Sequence, residues 1–221
     1  PGDGGMVIAG IATDGMFIGS SKNKAGGEAL VELRAGLDSR HKWKHYEEPG
    51  DVLGAQITAH EDGTVTMIQR AEIAKITATF YPEGAPVTLT PADVGARSDE
   101  GGESVNVTEY KSKLGTLSYA RMTRHDILPS LSKRSVVATR PTKSDRAALY
   151  WLAAYLITTG DVGLVYARGP AGTTIDDPIE WTGSSDAAWH WHSDGYSQLS
   201  VLMHAGARAG RVSDERWQAA A

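Results

Sequence analysis

Two aspartates occupy positions where a carboxylate could bind a divalent metal ion. Asp14 lies at the turn of an apolar strand–turn–strand pattern, and Asp186 lies at the end of a predicted strand and precedes small residues. Two-metal phosphoryl transfer needs several carboxylates around ions about 4 Å apart, and the residue after Asp14 is Gly15 rather than a second acid. Both aspartates are candidate catalytic residues and Mg²⁺ ligands. Ordinary structural roles stay open as well, because Asp-Gly is a common hairpin turn and Asp186 can cap a turn or a helix.

His190 and His192 form a second candidate metal site. Residues two apart on a strand face the same side, so both imidazoles could bind one zinc or copper ion. His204 is the nearest further histidine in the sequence. The alternative, that both histidines lie on the surface or in packing contacts, needs no third ligand and stays open.

Basic residues beside aromatic residues are candidates for nucleic-acid binding. Lys42, Trp43 and Lys44 form one such group, and Lys133 and Arg134 lie in another basic stretch. Aromatic rings can stack on bases while cations neutralise phosphates. Solvated surfaces also explain these residues, and the formal net charge of −5 provides no overall field that attracts nucleic acid.

The composition excludes several classes of protein. The 221 residues include no cysteine, which rules out disulfide-stabilised scaffolds, cysteine zinc sites, iron–sulfur clusters and thiol catalysis. The longest apolar run, residues 6–12, is far shorter than the roughly 20 residues that a spanning helix needs, and the first residues lack the pattern of a signal peptide. We therefore expect an intracellular protein with no membrane span. Because the chain begins at Pro1, we expect a processed product or a fragment.

The hydrophobic pattern predicts an α+β protein with two lobes. Apolar residues at helical spacing predict helices at 25–37 and 71–80 and three more between 110 and 160. The last helix is bounded by Thr142, which can cap together with Asp145, and by Gly160. Strands are predicted at 6–19 with a turn at 13–15, and at 43–46, 52–60, 65–69, 162–167, 179–184, 196–203 and 211–213.

Several segments, in chain order, resemble the reverse transcriptase to RNase H region of copia-type retrotransposon Pol polyproteins. Residues 6–19 resemble the palm strand–turn–strand that carries the Tyr-x-Asp-Asp motif. The strongest stretch, residues 109–120 followed by Thr123-Arg124-His125-Asp126-Ile127, is similar to the family's Tyr-Arg-x-x-x-Gly-x-Leu-x-Tyr and Thr-Arg-Pro-Asp-Ile. Further matching blocks are residues 52–57 and 63–69, Pro141-Thr142, Tyr155-Leu156, Thr159-Gly160-Asp161, Gly163-Leu164, Ser185-Asp186-Ala187 and residues 192–197. Together the blocks cover roughly residues 6 to 213.

The resemblance implies a partial reverse-transcriptase palm and connection, followed by a helical segment and an incomplete RNase H-like sheet. The implied domains are palm-like strands and helices at 1–90, a linker at 91–108, a helical connection at 109–160 and a partial RNase H-like domain at 161–221. An incomplete sheet has an open edge that can pair with another chain.

Departures from the family pattern bear on catalysis. The Tyr-x-Asp-Asp motif is Ala12-Thr13-Asp14-Gly15 here, so one of two adjacent metal-binding acids is replaced, and Asp186 matches only the first RNase H carboxylate. One acid per site leaves most of the charge of two metal ions uncompensated. We therefore expect neither polymerisation nor RNA hydrolysis, no cofactor, and Mg²⁺ only where some activity remains.

The expected function is that of a Pol-derived structural or interaction subunit that docks on other protein chains in a larger assembly. The alternative is a nucleic-acid-binding fragment of reverse transcriptase and RNase H that acts on RNA or DNA. That fragment would retain metal-dependent nucleotidyl-transfer or nuclease activity.

Overall fold

The computed structural model describes residues 5, 7–12, 15–20, 23–40, 42, 44, 51–52, 54–91, 102–166, 181–188 and 198–205. These residues contain both helices and strands, which confirms the predicted α+β class. The chain divides into two compact units, one comprising residues 1–60 and 65–165 and the other residues 61–64 and 166–221. The domain boundaries drawn from the sequence stay a prediction.

The elements of the described chain are five α-helices, eight strands and three short 3₁₀ segments. The helices are α1 (Lys24–Asp38), α2 (Arg70–Phe80), α3 (Val107–Tyr119), α4 (Leu128–Val136) and α5 (Lys143–Thr158). The strands are β1 (Val7–Ala12), β2 (Gly15–Ser20), β3 (Asp51–Val52), β4 (Ala55–Ala59), β5 (Val65–Ile68), β6 (Leu164–Tyr166), β7 (Trp181–Ala188) and β8 (Gln198–Ala205). The 3₁₀ segments Ala120–Met122 and His125–Ile127 lie between α3 and α4, and Val137–Thr139 follows α4.

β1 and β2 form an antiparallel hairpin in which Ala12 is opposite Gly15. The tip of the hairpin, residues 13–14, lies outside the described residues. α1 begins after Asn23, whose side-chain oxygen accepts a hydrogen bond from the amide of Gly26 at 2.8 Å. The predicted strands at 6–19 and the predicted helix at 25–37 are thus confirmed to within a residue at each end.

Strands β3, β4 and β5, which follow α1 in the chain, form a sheet with β6, which follows α5, in the order β3-β4-β5-β6. β4 and β5 are antiparallel, with Gln56 opposite Ile68. Their connection uses the predicted Asp-Gly turn, because Asp62 Oδ1 accepts hydrogen bonds from the amide (2.9 Å) and hydroxyl (2.7 Å) of Thr64. Gly63 has a φ of 85°, a conformation that glycine adopts without steric cost.

Four helices of the first unit, α2 to α5, enclose its apolar core. Fully buried side chains include Ile76 of α2, Leu117 of α3, and Leu149, Leu152 and Leu156 of α5. The three leucines recur at helical spacing, so one face of α5 points into the core. The predicted start of α5 is confirmed: the Thr142 and Asp145 side chains each accept a hydrogen bond from the other residue's amide.

β7 and β8 of the second unit form an antiparallel hairpin in which Trp181 is opposite Ala205. Asp186 is opposite Ser200, and β7 continues to Ala188. The strand predicted at 179–184 corresponds to β7, which ends at Ala188 rather than at Ser184, so Asp186 lies near the end of the strand.

None of the helices in the described chain is long and apolar enough to cross a membrane. The longest, α5, has 16 residues, whereas a spanning helix needs about 20.

Removing a core side chain of α5 should destabilise the first unit. We expect Leu152→Ala to lower the free energy of unfolding by about 2 to 5 kcal/mol, since it leaves a cavity among packed side chains. Leu128→Ala removes the same atoms from a side chain that is 42% exposed, and it should cost no more than about 1 kcal/mol. Urea unfolding followed by circular dichroism measures both, and equal losses would contradict the burial of Leu152.

Candidate functional site

The structure places only some of the candidate metal ligands. Asp14, His190 and His192 lie outside the described residues, and for Asp186 the position on β7 is described. No group of three or more metal-ligating side chains occurs among the described residues. The metal sites suggested by the sequence stay a prediction.

The candidate nucleic-acid ligands lie in two places. Lys42 and Lys44 are exposed, and Trp43 between them is outside the described residues. Lys133 and Arg134 occupy the last turn of α4. The structure does not show the two groups side by side, and the nucleic-acid role of all five residues stays a prediction.

Arg134 makes its contacts inside the protein. Its Nη1 donates a hydrogen bond to Asp145 Oδ1 at 3.0 Å, and both side chains are almost fully buried. The Tyr110 hydroxyl donates to the Arg134 carbonyl oxygen at 3.1 Å. Burial raises the pKa of Tyr110, the Arg134 charge partly offsets the rise, and the Asp145 charge adds to it. These contacts join the end of α4 to the starts of α3 and α5.

Gln69, a buried residue directly before α2, makes hydrogen bonds to the segment at the end of α3. Gln69 Oε1 accepts a hydrogen bond from the Thr123 hydroxyl at 3.0 Å, and Gln69 Nε2 donates to the Tyr119 carbonyl at 3.3 Å. Both Gln69 and Thr123 are 2% exposed. The start of α2 is thereby tied to the segment that follows α3.

Arg124 is the centre of a cluster of polar side chains. It is 2% exposed, and its Nε and Nη2 donate to the two carboxylate oxygens of Asp126 at 3.0 and 2.7 Å. Its Nη1 and Nη2 also donate to the carbonyl (2.9 Å) and hydroxyl (2.8 Å) of Thr159. The Tyr155 hydroxyl completes the cluster by donating to Asp126 Oδ2 at 2.5 Å. The guanidinium therefore binds a carboxylate on one side and the C-terminal end of α5 on the other, where a helix favours a cation.

The charges of the Arg124 cluster stabilise one another. Burial opposes ionisation of Asp126, but the hydrogen bonds from Arg124 and Tyr155 and the Arg124 charge outweigh it and lower the pKa of Asp126. Burial likewise opposes the charge on Arg124, and the hydrogen bond and charge of Asp126 reverse this and raise the pKa of Arg124. Burial and the Asp126 carboxylate raise the pKa of Tyr155. All three groups keep their ordinary charge state at neutral pH, which is typical of a structural ion pair.

A second cluster surrounds the ammonium of Lys113. Its Nζ lies 2.8 Å from Glu109 Oε1, donates to the Tyr150 hydroxyl, and lies 4.7 Å from the centre of the Tyr150 ring. Phe80 and Tyr81 pack edge-on against the same ring, with ring centres 5.1 and 5.6 Å away. Each polar group has a partner within the cluster, so the arrangement holds α3 against α2 and α5.

Neither cluster contains a nucleophile with its own general base. Asp126 is paired with Arg124 and Glu109 with Lys113, and the raised pKa of Tyr155 keeps its hydroxyl protonated at neutral pH. Within the described residues both clusters make packing contacts between helices.

The sequence-based list of site residues omits the Arg124 cluster. Thr123, Arg124 and Asp126 belong to the quoted Thr-Arg-His-Asp-Ile stretch, and Tyr155 and Thr159 belong to later blocks. The Arg-x-Asp spacing is the only local signal for the ion pair. Tyr155 and Thr159 are 31 and 35 residues from Arg124, so no local pattern points to their contact with it.

Comparisons of the chain with protein-family models, with curated proteins and with solved structures gave no match.

Breaking the Arg124–Asp126 pair should cost more than breaking a pair in which both side chains are exposed. We expect Asp126→Asn to lower the free energy of unfolding by about 1 to 2 kcal/mol, because it leaves the buried guanidinium without its counter-charge, whereas the Asp126 side chain is 37% exposed, so water screens part of the loss. Asp161→Asn is the matched control. Asp161 lies 3.1 Å from Arg70, and both side chains are mostly exposed, so the cost should stay below about 1 kcal/mol.

Asp126→Asn should also change the dependence of stability on pH. Chemical denaturation at several pH values measures this dependence. The pKa of Asp126 is lowered in the folded state. The stability that its ionised carboxylate contributes is therefore fully present above its pKa in the unfolded chain, about 3.9, and is lost as the pH falls through its lower pKa in the folded chain. Stability of the unmodified chain should therefore fall more steeply below about pH 4 than that of Asp126→Asn. If the free energy of unfolding fell equally steeply in acid for the two proteins, Asp126 would be excluded as a stabilising carboxylate.

Proposed function

We propose that the chain derives from the reverse transcriptase to RNase H region of a copia-type Pol polyprotein and acts as a non-catalytic interaction subunit of a larger protein assembly. One observation carries the link to this family. Residues from separate matching blocks are joined by hydrogen bonds: Gln69 binds Thr123, and Tyr155 and Thr159 bind the adjacent Arg124–Asp126 pair. A chance match of short motifs gives no reason for them to contact one another.

The buried face of α3 supports the same origin. The quoted family pattern has an aromatic residue, a leucine and a second aromatic residue at the positions of Tyr110, Leu117 and Tyr119. Tyr110 and Leu117 are buried in the core, and the Tyr119 carbonyl accepts the hydrogen bond from Gln69. Packing and main-chain contacts therefore account for these positions without a role in chemistry.

Glycines quoted in the matching blocks also have a physical role. A Cβ atom at position 163 would lie 2.3 Å from the Met67 carbonyl oxygen, far inside contact distance. Only glycine therefore lets the chain that leaves α5 approach β5 so closely. The Gly163-Leu164 block is thus explained by the sheet it enters.

The proposed lack of catalysis rests on the number of carboxylates. Two-metal catalysis needs several acids around the ions, and this chain has Gly15 where the family motif has its second adjacent acid. The fold that we propose is a partial palm and connection with an incomplete RNase H-like sheet. It provides a scaffold but lacks a complete set of metal-binding carboxylates. The acidic balance of the chain favours protein partners over nucleic acid.

The proposal predicts no turnover by the purified chain. We expect no primer extension and no cleavage of an RNA–DNA hybrid in Mg²⁺ or Mn²⁺ above the level of an Asp14→Asn/Asp186→Asn double variant. Turnover that disappears in either single variant would establish the chain as an enzyme and overturn the proposal. The assembly itself is tested separately by size-exclusion chromatography with mass detection on protein from its native source. Elution at the mass of one chain there would remove the subunit role.

A second candidate function, nucleic-acid binding, is favoured by the uneven distribution of charge. Residues 102–166 contain nine Lys and Arg against five Asp and Glu, although the whole chain has a net charge of −5. Arg140 and Arg146 are exposed near the start of α5, whereas Lys143 between them pairs with Glu103 at 2.6 Å. The two arginines are therefore the best candidates in this segment for contact with phosphates.

Charge reversal at these arginines should weaken any binding to single-stranded RNA. We expect Arg140→Glu/Arg146→Glu to reduce the slope of log affinity against log salt by about 1 to 2. Lys24→Glu/Arg34→Glu on α1 changes the net charge equally and should leave the slope unchanged. Fluorescence anisotropy with a labelled oligonucleotide at several salt concentrations measures it. Identical slopes for both double variants would rule out this surface.

A further inference from the structure

The irregular segment that follows α2, residues 82–91, lies against α5 and is called the strap below. The amide of Thr88 donates to Thr158 Oγ1 at 3.0 Å. Trp151 Nε1 donates to the Thr90 carbonyl at 3.0 Å. Trp151 and Thr158 are seven residues apart, which is about two helical turns, so they lie on the same face of α5. The strap therefore contacts this face, called the outer face below, at two levels.

Ala154 lies on the outer face between these two contacts. It follows Trp151 by three residues and precedes Thr158 by four, the spacings at which helical side chains are neighbours. Ala154 is 0% exposed, yet it is not one of the side chains that form the apolar core of the described chain, whereas the equally buried Ala153 next to it is. The strap therefore covers Ala154, and the core helices cover Ala153.

The strap buries few apolar atoms of its own. Of its residues, all of which the structure describes, only Thr88 is buried. Val87 and Leu89 on either side of it are 83% and 78% exposed. Burial of apolar surface is the main contribution that resists the opening of a segment. The strap is therefore held less strongly than the helices on which it lies.

The helices do not depend on the strap. Both hydrogen bonds to α5 use side chains of that helix, so its main-chain hydrogen bonds remain when the strap leaves. The Tyr81 hydroxyl, just before the strap, donates to the Tyr150 carbonyl at 3.1 Å and holds the end of α2 against α5. Gly84 has a φ of 117°, a region open to glycine without steric cost. The chain can therefore turn at Gly84 while Tyr81 stays in place.

We propose that the strap is a lid over the outer face of α5 that opens while the helical core stays folded. In the closed state Ala154 is covered. In the open state Trp151, Ala154 and Thr158 are exposed together. A molecule that contacts Ala154 binds only the open state and shifts the strap toward it. The strap thus controls access to this face, and the proposal does not depend on the origin of the chain.

Thiol labelling measures the opening, because the chain has no cysteine of its own. Ala154→Cys places one thiol under the strap. Ala153→Cys is the matched control, since it places one thiol in the core at a site that is also 0% exposed. We expect a thiol reagent to modify Ala154→Cys faster than Ala153→Cys by a factor of about 100 or more. Circular dichroism melts check that both variants fold.

The urea dependence of the two labelling rates separates local opening from global unfolding. The slope of stability against urea scales with the surface that becomes exposed. Low urea concentrations should therefore leave the rate of Ala154→Cys almost unchanged and raise that of Ala153→Cys steeply.

Hydrogen exchange of the unmodified chain provides a second measurement that needs no substitution. The amide of Thr88, which the contact with Thr158 protects, should exchange about 100-fold faster than the amide of Leu152 in the core of α5. A Thr88 amide that exchanges as slowly as that of Leu152 would exclude the lid.

Two labelling results would also overturn the proposal. One is equal rates with the same urea dependence for Ala154→Cys and Ala153→Cys, which would mean that the strap opens only when the core unfolds. The other is modification of Ala154→Cys as fast as that of Ser112→Cys, whose site on α3 is exposed. That result would mean that the strap does not cover the outer face.

Discussion

The buried guanidinium of Arg124 is the interaction on which the helical part of the first unit depends. A charge removed from water is tolerated only where its hydrogen bonds and its counter-charge are supplied together. Asp126 supplies the counter-charge, and the end of α5 supplies two further acceptors at Thr159. Because Thr123 next to it binds Gln69, the position of Arg124 also determines where α2 begins. In any packing that separates α5 from the segment after α3, the guanidinium either becomes exposed to water or stays buried without the acceptors of Thr159.

A pair in which both side chains are buried, Arg134 and Asp145, lies at the other end of α5. Asp145 accepts a hydrogen bond from the Thr142 amide and another from Arg134, so one carboxylate both caps the helix and neutralises a buried cation. An anion at the start of a helix and a cation at its end both match the helix dipole. Buried pairs add little net stability, but they penalise arrangements that break them. The leucines of α5 thus supply the hydrophobic free energy, while the two ion pairs specify its position.

The features that were predictable from the sequence are those with local causes. α5 combines a capping pair, leucines at helical spacing and a glycine after its end, all within about 20 residues, and its start agrees with the structure. The strand before Asp186 is predicted to stop at Ser184 because the small residues that follow resemble a strand end, whereas pairing with β8 continues to Ala188. Thr159, in contrast, binds Arg124 from 35 residues away along the chain. Contacts of that kind come from the fold as a whole, and neither spacing nor composition indicates them.

The proposed history, a Pol-derived scaffold without catalysis, has a physical basis in the difference between the two kinds of charged site. Adjacent catalytic acids repel one another when no metal is bound, so replacing one of them, as Gly15 would do, relieves repulsion and leaves the core intact. Arg124 and Asp126 are the opposite case, because removing Asp126 leaves the buried guanidinium without its counter-charge. Such a chain can therefore lose its metal-binding acids without losing its fold. A protein that retains the buried pairs keeps the surfaces that partners can bind, whether or not its metal ligands remain.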